Sequence, residues 1–146
     1  MLSTSRVRAA GVDVGKVRVG VAVADELGLL AHPRDHLDGR DPKRVLEALA
    51  ALAEAEHIDL FVVGLPRSLG GDEGPAARRA RRFARALAAR TGKKIELYDE
   101  WLSTREARSR LRDQGVDDRP ARERIDSAAA AVVLQSWLDG QRTGTP

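Results

Sequence analysis

Carboxylates stand at three places where an apolar element is interrupted or ends: Asp13 within Gly11-Val12-Asp13-Val14, the Asp99-Glu100 pair after Ile95 to Tyr98, and Asp126 between Ile125 and Ala129. A carboxylate on an apolar face is costly unless it is solvated, hydrogen-bonded or bound to a cation. Asp13 shares strand parity with Val7 and Ala9, the side expected to face a core. Of Asp99 and Glu100, alternation sends only one to a given side, and parity near a strand end leaves the choice open. Converging at the rim of one sheet, Asp13, one acid of the pair and Asp126 would hold two Mg²⁺ or Mn²⁺ ions about 4 Å apart, the device that cleaves phosphodiesters. One ion would activate water and the other would stabilise the leaving oxygen. Taken singly, each acid is also explained as a strand-end or helix-start carboxylate.

The chemical complement is cationic. Between Pro75 and Ile95 stand Arg78, Arg79, Arg81, Arg82, Arg85, Arg90, Lys93 and Lys94, with no acid among them. On a helix, Phe83, Leu87, Ala80 and Ala76 form a narrow core stripe, and Arg78, Arg81, Arg82 and Arg85 fan across the opposite face. No acid within the helix sits at i±4 to neutralise them, which is the footprint of phosphate-backbone binding. Solvation, or an acid-rich neighbour, would explain the same face structurally. The overall formal charge of +3 hides this segment: without it, 17 basic residues face 22 acidic ones.

The elements that must position these groups follow from local signals. Val7 to Val14, the Gly15-Lys16 turn and Val17 to Val23 predict a hairpin with Asp13 near its turn. A third strand is expected around Leu29 to Leu37, at an edge because of Pro33. Asp41-Pro42 starts a helix that ends near His57. The unbroken apolar run Ile58 to Gly64 predicts a strand covered on both faces, ending at Gly64-Leu65-Pro66. A Gly-rich loop through Gly70, Gly71 and Gly74 leads to Pro75, which opens the cationic helix, and Gly92 closes it. Ile95 to Tyr98 is strand-like again, giving a βαβ unit. Ser103 and Glu106 match a capping box for a helix that stops at Gly115. The last helix is expected from about Ala121 to Leu138, largely buried, with Ile125, Ala129, Val132, Val133 and Trp137 on its main apolar side. Residues 1–139 then form one domain, and 140–146 are expected to be a disordered tail.

Composition narrows the function. A chain of 146 residues suits one domain that buries about 70% of the unfolded surface. The absence of Cys excludes disulfides, thiol catalysis and Cys-based zinc sites. His32 and His36 are spaced i,i+4, but Pro33 breaks the helix that would bring them together. No P-loop or G-x-G-x-x-G is present. With 3% aromatics, a platform stacking successive bases is poorly supported. No stretch is long and apolar enough for a membrane span, and a cytoplasmic location is expected.

Four motifs in order carry a family resemblance over about Arg6 to Asp139. Gly11-Val-Asp-Val-Gly-Lys-Val-Arg-Val-Gly-Val-Ala, Val62-Val63-Gly64-Leu65-Pro66, Asp99-Glu100-Trp101-Leu102-Ser103-Thr104 and Ile125-Asp126-Ser127-Ala128-Ala129 resemble those of the YqgF/RuvX family of the RNase H-like superfamily. Its members are named as Holliday-junction resolvases and pre-16S rRNA nucleases. The resemblance implies an α/β, RNase H-like fold: a mixed five-stranded sheet, a β-hairpin meander then βαβ, flanked by helices. It implies Asp13, Glu100 and Asp126 as catalytic and metal-holding carboxylates, so it chooses Glu100 over Asp99. Trp101 departs from the family, which usually has Arg there. If that Arg touches the phosphate backbone, the contact must come from elsewhere, with Arg105 or Arg18 the candidates. Arg67, just past Pro66, joins Arg78, Arg79, Arg81, Arg82 and Arg85 in the expected nucleic-acid-binding set.

The expected activity is a metal-dependent endonuclease on structured nucleic acid, a four-way DNA junction or precursor rRNA. Symmetric junction cleavage would require a homodimer, and trimming one RNA end would not. The competing reading is an RNase H-like module that binds nucleic acid, or a ribosome or transcription factor, without cleaving.

Overall fold

The computed structural model describes residues 7–66, 72–100 and 127–142. Its elements are β1 (Ala9–Val14), β2 (Arg18–Ala24), β3 (Ala31–Asp38), α1 (Pro42–Glu56), β4 (Leu60–Leu65), α2 (Pro75–Thr91), β5 (Lys94–Asp99) and α3 (Ala128–Arg142). They build one mixed sheet in the order β3-β2-β1-β4-β5. β1 pairs antiparallel with β2 and parallel with β4, and β4 pairs parallel with β5.

Local chemistry accounts for the boundaries. Gly15 N–H donates to Arg18 O at 2.9 Å, closing the β1–β2 turn. Asp41 caps α1 by accepting from the Arg44 backbone N–H, and His57 ends it in the left-handed conformation at φ 58°. Gly92, at φ 71°, ends α2 in the same way. β3 is an edge strand, as expected from Pro33, and its register against β2 slips between Val19 and Val21. Below the sheet, Glu56 at the end of α1 accepts a bidentate pair from Arg34 at 2.7 and 2.8 Å, tying the helix to β3.

Two apolar layers clasp the sheet. Ala10, Val12, Phe61 and Val63 pack under α1 and α2, whereas Ala9, Ala22, Leu60 and Val62 pack against α3. Gly11 explains how closely α3 approaches: a Cβ there would lie 2.8 Å from Leu134 Cβ and 2.9 Å from Ala130 O. Ser127 Oγ accepts from Val21 N–H at 3.1 Å beside the β2–β3 slip. Buried Gln135 accepts from Ala31 N–H and donates to Leu29 O, both at 2.9 Å, binding α3 to the start of β3.

Three expectations are corrected. The buried stripe of α2 is Ala77, Ala80, Ala84 and Leu87, and Ala76 is exposed. The helix is rotated slightly from the expected phase because Ala77 and Ala84, small enough for close contact, face the sheet. α3 extends to Arg142, past the expected helix end at Leu138. Ala129, expected on its apolar side, is exposed. The capping box at Ser103, the helix ending at Gly115 and the expected stretch from Ala121 to Asp126 lie outside the described residues.

Candidate active site and nucleic-acid interface

β1 and β4 run side by side and in the same direction, with Val12 opposite Val63, so Asp13 and Gly64 are the next residues along at their carboxyl ends. β5 continues the layer, pairing Tyr98 with Gly64 and Asp99 with Leu65. Glu100 is the first residue past this last pair. Asp13 lies on the face of Ala9 and Gly11, the face that α3 covers. Glu100 lies against Gly64: a Cβ there would be 2.7 Å from Glu100 Oε2. Its carboxyl group is hydrogen-bonded to that of Asp13. Alternation left Asp99 and Glu100 equivalent, and the structure brings Glu100 to Asp13.

Burial is the largest influence on both acids. It raises the Asp13 carboxyl above its ordinary value, against the lowering effect of the hydrogen bond from Glu100. Glu100 is pushed up to about 7, by burial first, then by the charge of Asp13, the hydrogen bond to it and the charge of Asp99. The pair therefore retains a proton toward neutrality, shared through the hydrogen bond between the two carboxyl groups. Asp126 lies outside the described residues, directly before buried Ser127 in sequence, and among the described residues no cluster of three His, Asp or Glu side chains is poised to hold a metal. The two acids do supply hard oxygen donors with excess negative charge, a fit for Mg²⁺ or Mn²⁺.

The cations divide into two groups, which corrects the expectation of a uniformly unpaired face. Arg81 is held by Glu73, its Nε donating to Oε1 at 2.7 Å. Arg90 is held by Glu47 of α1 at 2.6 and 3.0 Å. Lys94 lies 3.6 Å from Glu96. The acids come from outside α2 or from the next strand, so a search at i±4 within the helix misses them. Among the described residues, Arg78 reaches only the Glu73 carbonyl, at 3.5 Å. Arg79 and Arg82 line a groove with Lys16 of the β1–β2 turn, and Arg82 and Arg85 are exposed. Arg18 opens β2, opposite Asp38 in the ladder. Arg67 and Arg105, like Trp101, lie outside the described residues.

Two residues that matter to this geometry carried little signal in the sequence. Gly64 read only as a strand break, although a glycine in a strand also marks close approach by another group. Ser127 read as part of a helix start, and its partner Val21 is distant in the chain.

The RuvX family, described as Holliday junction resolvase, matches residues 7–140. The chain belongs to this family. Among its RuvX relatives, a protein of Anaeromyxobacter sp. (strain Fw109-5) named "Putative pre-16S rRNA nuclease" is 47% identical over 131 residues, covering 90% of this chain and 96% of that one. A relative of the same name from Streptomyces coelicolor is 44% identical over 144 residues, covering 97% and 86%. Among solved structures, T. thermophilus RuvC in complex with Holliday junction substrate superposes with a TM-score of 0.68 at 16% identity, covering 96% of this chain and 98% of that one. The fowlpox virus Holliday junction resolvase gives 0.51 at 10%, covering 92% and 99%. At these identities the likeness establishes the fold, an RNase H-like mixed sheet flanked by helices. Among the described residues, no helix is long and apolar enough to cross a membrane.

Proposed function

We propose that this RuvX protein is a metal-dependent endonuclease acting on structured nucleic acid, with Asp13, Glu100 and Asp126 as its catalytic carboxylates. The observation that carries the reading is the half-buried Asp13–Glu100 pair at the carboxyl ends of β1 and β5, the two strands that flank β4 and run parallel to it, within a family of Holliday junction resolvases. Two carboxyl groups forced together out of water have a structural cost that binding of a cation would offset. Asp13 and Glu100 would hold Mg²⁺ or Mn²⁺, with Asp126 as a third ligand. Such ions, when bound, supply activated water and charge stabilisation for in-line phosphodiester hydrolysis.

The chain's own groups perform the other tasks. The proton held by the Asp13–Glu100 pair would leave when a cation binds, which would tie competence to pH. Gly64 leaves the space that Glu100 occupies. Arg79, Arg82 and Arg85 attract the phosphate backbone, joined by Arg78, Arg81, Arg18, Arg67 and Arg105 in the proposed binding set. Phosphate contacts of this kind set position and affinity without reading sequence.

Purified protein is expected to cut a labelled four-way DNA junction or a pre-16S leader RNA in Mg²⁺ or Mn²⁺, and Asp13→Asn or Glu100→Gln to abolish the cut. Full activity in either variant removes that residue from the mechanism. Salt-sensitive binding of both substrates with no cleavage under either metal would instead assign the fold to a non-catalytic binding module.

A further inference from the structure

A groove of about 500 Å³ opens between the β1–β2 turn, the start of α1 and the outer side of α2. Its size falls within the roughly 300–1,000 Å³ ordinary for small-molecule pockets. Val14, Val19, Leu46 and half-buried Phe83 give it an apolar floor, and Lys16, Arg79 and Arg82 stand at its rim. None of its twelve lining residues is acidic. None of the three cations has an ion-pair partner among the described residues, in contrast to Arg81 and Arg90.

We infer that this groove binds one unpaired nucleotide of the substrate strand, its base against Phe83 and its phosphate on Lys16, Arg79 and Arg82. A flat apolar surface beside concentrated positive charge matches a planar base joined to a phosphate. Phe83 is the single aromatic ring among the lining residues, which suits one base. The position is also appropriate. Asp13 and Val14 are consecutive on β1 and point to opposite faces of the sheet, the acid toward α3 and Val14 into the groove. A strand with one phosphate at the acid pair rounds the sheet at the Gly15-Lys16 turn and delivers a neighbouring nucleotide to the other face. The inference rests on the nuclease reading for the identity of the strand, and the groove itself can be tested without cleavage.

Uridine 5′-monophosphate titrated into the full chain in chelator, followed by amide NMR, is expected to move the signals of Val14, Lys16, Arg82 and Phe83. Phe83→Leu, which keeps apolar bulk, is expected to weaken binding about tenfold through lost stacking, and Arg79→Ala with Arg82→Ala to weaken it further. Unmoved signals, binding by Phe83→Leu equal to the parent, or inorganic phosphate binding as tightly as the nucleotide would each overturn the inference. Nucleotide binding in a protein that cuts neither substrate would overturn the nuclease reading and leave the groove standing. Cleavage with an unresponsive groove would do the reverse.

Discussion

Glu100 reaches its hydrogen bond with Asp13 across Gly64, where a single added carbon would stand 2.7 Å from Glu100 Oε2. The obstructed atom is the end of a flexible side chain, so Gly64→Ala is expected to displace the carboxyl group and leave the sheet intact. Cleavage should fall by tenfold or more, since small misplacements of catalytic groups carry large rate costs. The thermal midpoint should move little. Carboxyl NMR should show Glu100 titrating well below 7, nearer its ordinary 4.5, because displacement relieves its burial and separates it from Asp13.

Gly11→Ala provides the contrast. Its added carbon meets Leu134 Cβ and the Ala130 carbonyl at 2.8 and 2.9 Å, groups fixed in the core and in the backbone of α3. Relief requires moving the helix, which should destabilise the protein by about 1–3 kcal/mol. Denaturant unfolding of the two glycine variants should separate a loss of fold from a loss of geometry.

The acid pair also predicts how stability depends on pH. Both folded-state values are raised, Glu100 from 4.5 to about 7 and Asp13 from 3.8. Where the unfolded chain has lost its protons and the folded one retains them, stability falls with rising pH. In metal-free protein the fall should span about pH 4.5 to 7, with full stability below that window and the complete loss above it. Glu100→Gln should remove most of the slope and, at pH 8, raise stability by about 2 kcal/mol after allowance for solvent screening. Adding Mg²⁺ should stabilise the parent at pH 8, have little effect at pH 4.5, and do less for Asp13→Asn.

Division of the cations into held and available groups should be visible in salt titrations of substrate binding. Each phosphate contact adds about 0.9 to the slope of log affinity against log salt. Arg82→Ala and Arg85→Ala should each reduce the slope by about that amount. Arg90→Ala should leave it unchanged, because Glu47 already engages that guanidinium. Glu73→Gln, by releasing Arg81, should steepen it.

What could be read from the sequence was local. Asp41-Pro42 and Gly92 end their helices by chemistry contained within a few residues, and the apolar run into Gly64 marks a doubly covered strand without knowledge of its neighbours. Asp13 was conspicuous because a carboxylate breaks an apolar alternation. Glu100 could not be chosen by alternation because it lies past the last paired residue of β5, where strand parity has ended. Its place beside Asp13 depends on the β4–β5 register and on Gly64, which are non-local facts. The partners of Arg81 and Arg90 were hidden for a related reason: Glu73 precedes the helix and Glu47 lies on another one. The one-residue shift from Ala76 to Ala77 reflects packing against the sheet, which helical periodicity alone places only approximately.

The strand order has a consequence for synthesis. β1 lies at the centre of the sheet, with its hairpin partner β2 on one side and β4, made much later, on the other. A nascent chain can form the β1–β2–β3 meander early, but it contains Asp13 without the strand bed that seats Glu100. The two carboxyl groups meet only after the β4–α2–β5 segment has docked. An incomplete chain therefore carries half of the acid pair, so the hydrolytic competence proposed for it would await assembly of the sheet.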